Sequence, residues 1–408
     1  MDILIEEQEG SLWVAALQGG RLDGLEVEPA LEEVRWGSIY WGRVSSVNAA
    51  LDAVFVDLDG YNTGILYNRD VRIKDGDGYI KGGAQAIGKT FSPGDMIAVQ
   101  AKSAYLPKEY DDYASQETKT PQLSMDITLQ GRYTIHCPMM GKNRLSSRIR
   151  NKKMRSAMRK MLNDLDGLDG FILRAAAADT QTDVLLREAE ILQGAWREVQ
   201  QFLEGDEPAL IALGPDAIQR TLSDQAAQAI ERIEIVTMDH FEEVEDWCAV
   251  FAPDLVPKIV PIELRNADED LALFHERDII GQIEELTQSY ILLPSGGNII
   301  LQKTAALTAV DVNKSSDKGA KLATNIEAAR EVSRQLRLRN CGGAIIVDFL
   351  KMNGKAEEGK LIAALEEAIN DDPCTVQIHG FTNLGMMELT RKRRTPPLRE
   401  RMQGIKLS

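Results

Sequence analysis

The stretch "ALTAVDVNKS" (Ala306–Ser315) begins as an apolar run and turns polar at Asp311 and Asn313. Further on, "GGAIIVDFL" (Gly342–Leu350) does the same at Asp348. A short apolar run bounded by turn residues reads as a buried strand, so two such strands each deliver a carboxylate. In an extended strand, residues two apart project from one face, which places Asn313 beside Asp311. Two strand-end carboxylates are an oxygen-rich donor set of the kind Mg2+ takes, because that ion prefers one or two carboxylates plus water and substrate phosphate. The arrangement suits metal-assisted phosphodiester hydrolysis, in which a cation offsets charge building at phosphorus. Asp at a strand end also reads as a plain Asx-turn, and the pattern alone leaves both readings open.

Working outward, "GGNIILQKTAALTAVDVN" (Gly296–Asn313) reads as a hairpin with a buried second strand. "TNIEAAREVSRQLRL" (Thr324–Leu338) reads as a helix opened by a capping box, Thr324-x-x-Glu327. After the Asp348 strand come a helix in "EEGKLIAALEEAIN" (Glu357–Asn370) and a strand in "CTVQIHGF" (Cys374–Phe381), so the last third reads β-α-β-α-β. Near the other end, the first 30 residues alternate apolar and polar as a hairpin. "GSIYWGRVSSV" (Gly37–Val47), "AVFVDLDGYNTGILY" (Ala53–Tyr67) and "DMIAVQ" (Asp95–Gln100) read as short strands of a small barrel. Between them "KDGDGYIKGGAQAIG" (Lys74–Gly88) is Gly-rich and reads as a mobile loop, and "SAYLPKEYDDYASQETKTPQ" (Ser103–Gln122) reads as an exposed loop. From about Ser147 a basic helix, the strand "GFILRAA" (Gly170–Ala176) and the helix "DVLLREAEILQGAWREVQQFL" (Asp183–Leu203) follow, then strand and helix alternate to about Pro261.

A chain of 408 residues exceeds one ordinary core, so several modules are expected. No apolar run reaches the roughly 18 residues a membrane span needs, and "MDILIEEQEG" lacks the order of a secretory signal. A cytoplasmic location without membrane attachment is the expectation. Cys137, Cys248, Cys341 and Cys374 are scattered without a CxxC pair, as expected of reduced thiols.

The net charge of −16 argues against a polyanionic partner, but the charges are segregated. "GKNRLSSRIRNKKMRSAMRK" (Gly141–Lys160) holds nine Lys/Arg and no acid, and "RQLRLR" (Arg334–Arg339) and "RKRRTPPLRER" (Arg391–Arg401) follow. Acids gather elsewhere, as in "DHFEEVEDW" (Asp239–Trp247). Segregation of this kind permits a nucleic-acid-binding face on an acidic molecule, with Arg148, Arg337 and Arg391 as expected RNA contacts. Each run taken singly also reads as a solvated helix face.

Three stretches then carry a resemblance: "LPSGGNIILQKTAALTAVDVNKS", "ATNIEAAREVSRQLRLRNCGGAIIVDFLKM" and "QIHGFTNLGMMELTRKR" are similar to the catalytic region of the ribonuclease E/G family. "YWGRVSSVNAALDAVFVDLDGYNTGIL" resembles that family's S1 RNA-binding domain, and "LQGRYTIHCP", "SSRI" and "GFILRAA" resemble its 5′-sensor. Nearly the whole chain is covered in the family's own order. The resemblance implies an α+β multidomain fold. Residues 1–34 and 221–285 would form a discontinuous ribonuclease H-like subdomain without that activity. Residues 35–125 would form an S1-type OB-fold barrel, 126–220 the 5′-sensor, 286–400 a deoxyribonuclease I-like catalytic subdomain, and 401–408 a tail. It further implies a Mg2+-dependent endoribonuclease of RNA processing or decay, ribosomal RNA included, cutting single-stranded RNA to leave 5′-phosphate and 3′-hydroxyl ends. Asp311 and Asp348 match the family's metal ligands and Asn313 its assisting amide. A non-catalytic RNA-binding protein that retains the fold is the alternative.

The same resemblance carries RNA contacts residue by residue. In the barrel Phe55 matches the first stacking aromatic and Lys119 the lysine, while the second aromatic position is Ile65. Spacing alone also permits Phe55 as plain barrel core. In the sensor Arg174 matches the phosphate-gripping arginine, with Gly131 and Ile135 as supporting positions, while the threonine position is Ala175. Near the metal pair, Lys314 and Lys351 stand where the family carries a small residue and often a second acid. The lysines are expected to point outward, because Lys314 alternates away from Asp311 and Asn313; competition with magnesium for the carboxylates is the other reading. The family's "CPxCxG" segment has no counterpart, so zinc and the metal-linked dimer are not expected, and any homo-oligomer would lack a zinc link.

Overall fold

The computed structural model describes residues 1–30, 34–76, 78–103, 120–149, 151–164, 168–264, 270–314, 320–370 and 372–402. The chain divides into two compact units, one of residues 1–30, 231–241 and 259–408 and the other of residues 31–230 and 242–258. Strands alternate with helices in a mixed α+β architecture.

The first unit opens with β1 (Asp2–Gln8), β2 (Ser11–Gln18) and β3 (Arg21–Glu28), an antiparallel meander of three strands where the sequence suggested two. The extra strand has a simple cause. Gly10 and the Gly19-Gly20 pair all take positive φ, giving two tight turns in place of one.

The second unit begins with a barrel of β4 (Ile39–Asn48), β5 (Ala53–Asp57) and β6 (Thr63–Tyr67). A hairpin of β7 (Arg72–Asp75) and β8 (Gly78–Lys81) interrupts it before β9 (Met96–Ala101) and β10 (Gln122–Ser124). Strand order β4-β5-β6-β10-β9, with β9 also paired to β4, closes the barrel and removes its free edges. Val44, Val54, Val56, Leu66, Ile97 and Val99 fill it. The β7–β8 hairpin corrects the expectation of a mobile loop: Gly76 at φ +57° makes the reversal, and Arg72 ion-pairs with Asp126. The loop expected over 103–122 lies almost wholly outside the described residues.

Beyond the barrel a small sheet forms from β11 (Leu129–Gln130), β12 (Thr134–His136), β13 (Arg144–Leu145) and, after α1 (Lys152–Asp164), β14 (Phe171–Leu173). Helix α2 (Thr182–Gln201) packs on it through Leu185, Ala189 and Leu192. Strand β15 (Ala209–Ala212) adds to β4, and α3 (Ala217–Asp224) follows, capped by the Asp216 carboxylate on the Gln219 amide.

The chain returns to the first unit with β16 (Arg232–Ile235), passes through α4 (Met238–Phe251), and re-enters with β17 (Ile259–Pro261). Strand β16 adds in parallel to β1 and β17 in parallel to β16, giving the order β17-β16-β1-β2-β3. Short helices α5 (Ala272–Glu276) and α6 (Ile280–Glu285) cover it through Leu273, Phe274, Ile280 and Ile283.

The last sheet contains β18 (Tyr290–Leu292), β19 (Asn298–Lys303), β20 (Leu307–Asn313), β21 (Gly343–Asp348), β22 (Val376–Phe381) and β23 (Met387–Arg391), in the order β18-β19-β20-β21-β23-β22. Among the described residues its one parallel pair is β20–β21, and parallel pairing demands a long crossover. That crossover carries α7 (Lys321–Leu338), and α8 (Lys355–Ala368) follows β21. Ala328, Val332 and Leu336 of α7 and Leu361 and Leu365 of α8 bury one face of the sheet against Ile299, Val310, Val312, Ile345 and Val347. Strand β23 was not foreseen; its last residue, Arg391, opens the basic run read from the sequence. A final short helix is α9 (Leu398–Arg401).

The capping box at Thr324 is corrected. Helix α7 starts a turn earlier, at Lys321 after Ala320, without a side-chain cap. Thr324 is buried, and the Glu327 carboxylate accepts instead from the Ser295 amide at 3.1 Å. Lys321, Leu322 and Ala323 are good helix formers, so the helix extends past the motif.

Candidate active site

The alternation of β20 explains the site. Thr308, Val310 and Val312 point into the interior, while Asp311 is exposed and Asn313 half-buried. In β21, Ile345 and Val347 are buried and Asp348 is exposed. Val310 and Val312, Ile345 and Val347 all face the helices, so period-2 alternation turns both carboxylates to the opposite face. The parallel register aligns Asp311 with Asp348 as direct neighbours. Adjacent strands lie about 4.8 Å apart, so the two carboxylate-bearing positions stand side by side at the C-terminal ends of the sheet's parallel pair. That is where ligands bind in parallel α/β sheets.

Asn313 serves this pair. Its amide Nδ2 donates to Asp311 Oδ2 at 2.9 Å and lies 3.4 Å from Asn298 Oδ1. Asn298 is the cross-strand partner of Asn313 on β19. One lone pair of Asp311 is thus occupied, which fixes the carboxylate's rotation. On the other side, Asn325 of α7 is fully buried. It accepts from the Leu350 amide at 3.0 Å and donates to the Leu350 carbonyl at 2.8 Å. This two-point clamp holds the chain just after Asp348. The sequence reading missed Asn298 and Asn325. A polar residue at an interior position of a helix such as α7 was the one signal for the latter.

The donor chemistry fits a hard divalent cation. Two exposed carboxylates in register, one already oriented by an amide, leave room for the water and phosphate oxygens that Mg2+ retains. Among the described residues no group of three or more His, Cys, Asp or Glu converges to form a protein-only cage. Lys314, just past β20, is half-buried, and Lys351 is exposed. The four cysteines are free and buried, and burial pushes the Cys137 and Cys248 thiols up to about 12.

The barrel positions separate clearly. Val54 and Val56 are core residues while Phe55 between them is half-buried on the outer face. Phe55 is therefore not barrel core. Its cross-strand neighbours are Ser46 on β4 and Ile65 on β6, so the two family aromatic positions are adjacent on one face. Lys119 lies outside the described residues.

Arg174 leaves β14 with its guanidinium already engaged. It donates to the Gly131 carbonyl at 3.0 Å, to the Ser223 carbonyl at 2.8 Å and to Asp224 Oδ1 at 3.3 Å. Gly131 is required by a close approach, since a Cβ there would fall 2.4 Å from Glu188 Oε1. The Glu188 carboxylate, buried in α2, accepts from the amides of Arg132, Tyr133 and Thr134 and from the Thr134 hydroxyl. Burial raises its pKa despite those donors. Ile135 sits half-buried in β12.

The basic runs need correction. Arg391, expected to touch RNA, is buried within the fold. Its guanidinium donates to both Asp372 oxygens at 2.8 and 3.0 Å and to the Cys341 carbonyl at 3.0 Å. Arg337 donates to the Asp23 carboxylate at 2.5 Å and its carbonyl at 3.2 Å, tying α7 to β3. Arg401 is buried against Glu26. These arginines brace elements against one another, which linear charge density cannot distinguish from an exposed patch. The first run differs. Arg148 and, on α1, Lys152, Lys153, Arg159 and Lys160 are exposed.

Among the described residues no helix is long and apolar enough to cross a membrane. Residues 128–394 match the model of the ribonuclease E/G family. The chain is 29% identical over 404 residues to ribonuclease G of Salmonella typhimurium (strain SL1344), covering 96% of this chain and 80% of that protein. It is likewise 29% identical over 406 residues to ribonuclease G of Escherichia coli (strain K12), with the same coverage. Against ribonuclease E of Nostoc sp. (strain PCC 7120) it is 32% identical over 367 residues, 88% of this chain but 51% of that longer protein. With a family match over the sheet that aligns Asp311 and Asp348, this chain belongs to the ribonuclease E/G family.

Proposed function

We propose that this protein is a Mg2+-dependent endoribonuclease that cuts single-stranded RNA to leave 5′-phosphate and 3′-hydroxyl ends. The observation that carries the reading is the register pairing of Asp311 with Asp348, both exposed, at the ends of parallel strands. A divalent cation held by these two carboxylates would supply Lewis-acid charge at the phosphate and lower the pKa of water. Asn313 holds the Asp311 carboxylate in place, and Asn325 fixes the backbone after Asp348. In the reaction, water attacks phosphorus, the bond from phosphorus to the 3′ oxygen breaks, and that oxygen takes up a proton.

The half-exposed Phe55 on the barrel's outer face supports RNA stacking there, worth about 1–3 kcal/mol per base. The exposed cations at Arg148 and along α1 support backbone binding. Arg174, engaged by Asp224, and the buried Arg391 are not carried forward as phosphate contacts. We read the closed barrel as S1-type, the six-stranded sheet as the deoxyribonuclease I-like part and the β1–β3, β16–β17 sheet as the ribonuclease H-like part. The test is incubation of the purified protein with an A/U-rich single-stranded RNA, with Mg2+ or with chelator, followed by end-group analysis. Cleavage restricted to Mg2+ with 3′-hydroxyl products is expected. Binding without cleavage under every condition would favour an RNA-binding protein that retains the fold.

A further inference from the structure

The cross-strand register of the last sheet continues the carboxylate pair outward. Asp348 on β21 aligns with Asp311 on β20, Asp311 with Ile300 on β19, and Ile300 with Tyr290 on β18. Directly opposed residues share a face, so Tyr290, Ile300, Asp311 and Asp348 form one row on the face turned away from α7 and α8. Tyr290 is 55% exposed on an edge strand and Ile300 is half-buried. In the adjacent row Leu292, 66% exposed, aligns with Asn298 and Asn313. A large ring left in water on a short edge strand has no role in the core, to which Ile299 belongs and against which Ile291 packs from the other face.

We propose that Tyr290, backed by Ile300 and Leu292, is a stacking platform for a base of the RNA flanking the scissile phosphate. The inference rests on the nuclease reading and adds a substrate-positioning residue to it. Two strand spacings of about 4.8 Å each separate Tyr290 from Asp311, within the span of a nucleotide neighbouring the cut. The chemistry of the row selects which part of the RNA lies where. An uncharged aromatic–aliphatic surface offers a phosphate nothing but offers a base a π-face. The two carboxylates repel bare phosphate and accept it only with a cation between. A strand of RNA crossing this face thus places its phosphate over Asp311 and Asp348 and an adjoining base over Tyr290. The occupant is the substrate itself, because the platform is continuous with the carboxylate row.

The test measures binding and cleavage separately with the full chain. Fluorescence anisotropy of a short A/U-rich single-stranded RNA is compared for Asp311→Asn protein with Tyr290, Tyr290→Ala or Tyr290→Phe. Loss of about 5- to 30-fold in affinity is expected for Tyr290→Ala, the lower part of the range for a stacked base, with Tyr290→Phe near the parent value. A series of RNAs, each lacking one base near the cleavage site, supplies the second readout. At one position the missing base costs the parent what Tyr290→Ala costs, and the variant suffers no further loss there. Equal affinity of parent and Tyr290→Ala for all RNAs would overturn the platform, as would a change in sedimentation with RNA binding unaltered, which would make the edge a protein contact. Tyr290-dependent binding by a chain that cleaves no RNA would leave the platform standing and remove the nuclease reading alone.

Discussion

Asp311 and Asp348 are register partners on adjacent parallel strands, and the side-chain amide of Asn313 donates to Asp311 Oδ2 at 2.9 Å. The relationship makes the site a pair of carboxylates of unequal freedom. Asp311 is held by a side chain two residues away, whereas Asp348 is placed by the backbone clamp of Asn325 on Leu350.

Asn313→Ala therefore acts through Asp311. Removing a group that orients a metal-ligating carboxylate costs about 10- to 100-fold in metal affinity or activity. Cleavage assayed across a Mg2+ titration is expected to show a raised metal requirement, partly recovered at high Mg2+. An unchanged metal dependence would mean the hydrogen bond is incidental.

Arg174 is engaged by the Asp224 carboxylate and two carbonyls. A 5′-phosphate gripped by a guanidinium would gain about 1.5–3 kcal/mol through charge-assisted bonds, roughly 10-fold or more in affinity. With Asp224 in that role and no hydroxyl at Ala175, RNAs with 5′-monophosphate and 5′-hydroxyl ends are expected to be cut at near-equal rates. A strong preference for the monophosphate, lost in Arg174→Ala, would contradict this.

How much was legible in the sequence differs from element to element. The two carboxylate strands were readable because buried parallel strands are unbroken apolar runs, and the polar residue that ends each one stands out. The alternation that turned Asn313 toward Asp311 was readable for the same reason. The partners of the arginines were not. Arg391 meets Asp372 and Arg337 meets Asp23 only after folding, so the basic runs suggested a patch that the fold partly consumes. Tyr290 was passed over because a three-residue edge strand is too short to read as a period in the sequence, and only the register across four strands brings it into line with Asp348.

Asp372 is buried with Arg391, each oxygen occupied. Asp372→Ala leaves a buried guanidinium uncompensated, a loss of about 3–5 kcal/mol in stability. Chemical denaturation is expected to show it, with the double replacement Asp372→Leu, Arg391→Met recovering much of the loss. A drop below 1 kcal/mol, on the order of a solvated surface pair, would place the pair in water.

Glu6, buried in β1, has its pKa raised from 4.5 to about 7 by burial, against the pull of the Leu273, Phe274 and Ala272 amides. A carboxyl that binds its proton more tightly in the folded state contributes stability in full below pH 4.5. That contribution is lost as pH rises toward 7 and is gone above it. Unfolding free energies of the parent and Glu6→Gln, measured from pH 5 to 8, are expected to diverge. The parent should lose on the order of 2 kcal/mol relative to the variant. Parallel curves would show that Glu6 stays ionised throughout.

The central claim is that the aligned carboxylates perform the cut. Its most direct measurement is single-turnover cleavage of one single-stranded RNA in Mg2+ by the parent, Asp311→Asn and Asp348→Asn, each checked for intact folding and RNA binding. Cleavage by the parent and its loss in both variants, with RNA affinity retained, is the expected result. Cleavage by either variant at the parent's rate would contradict it.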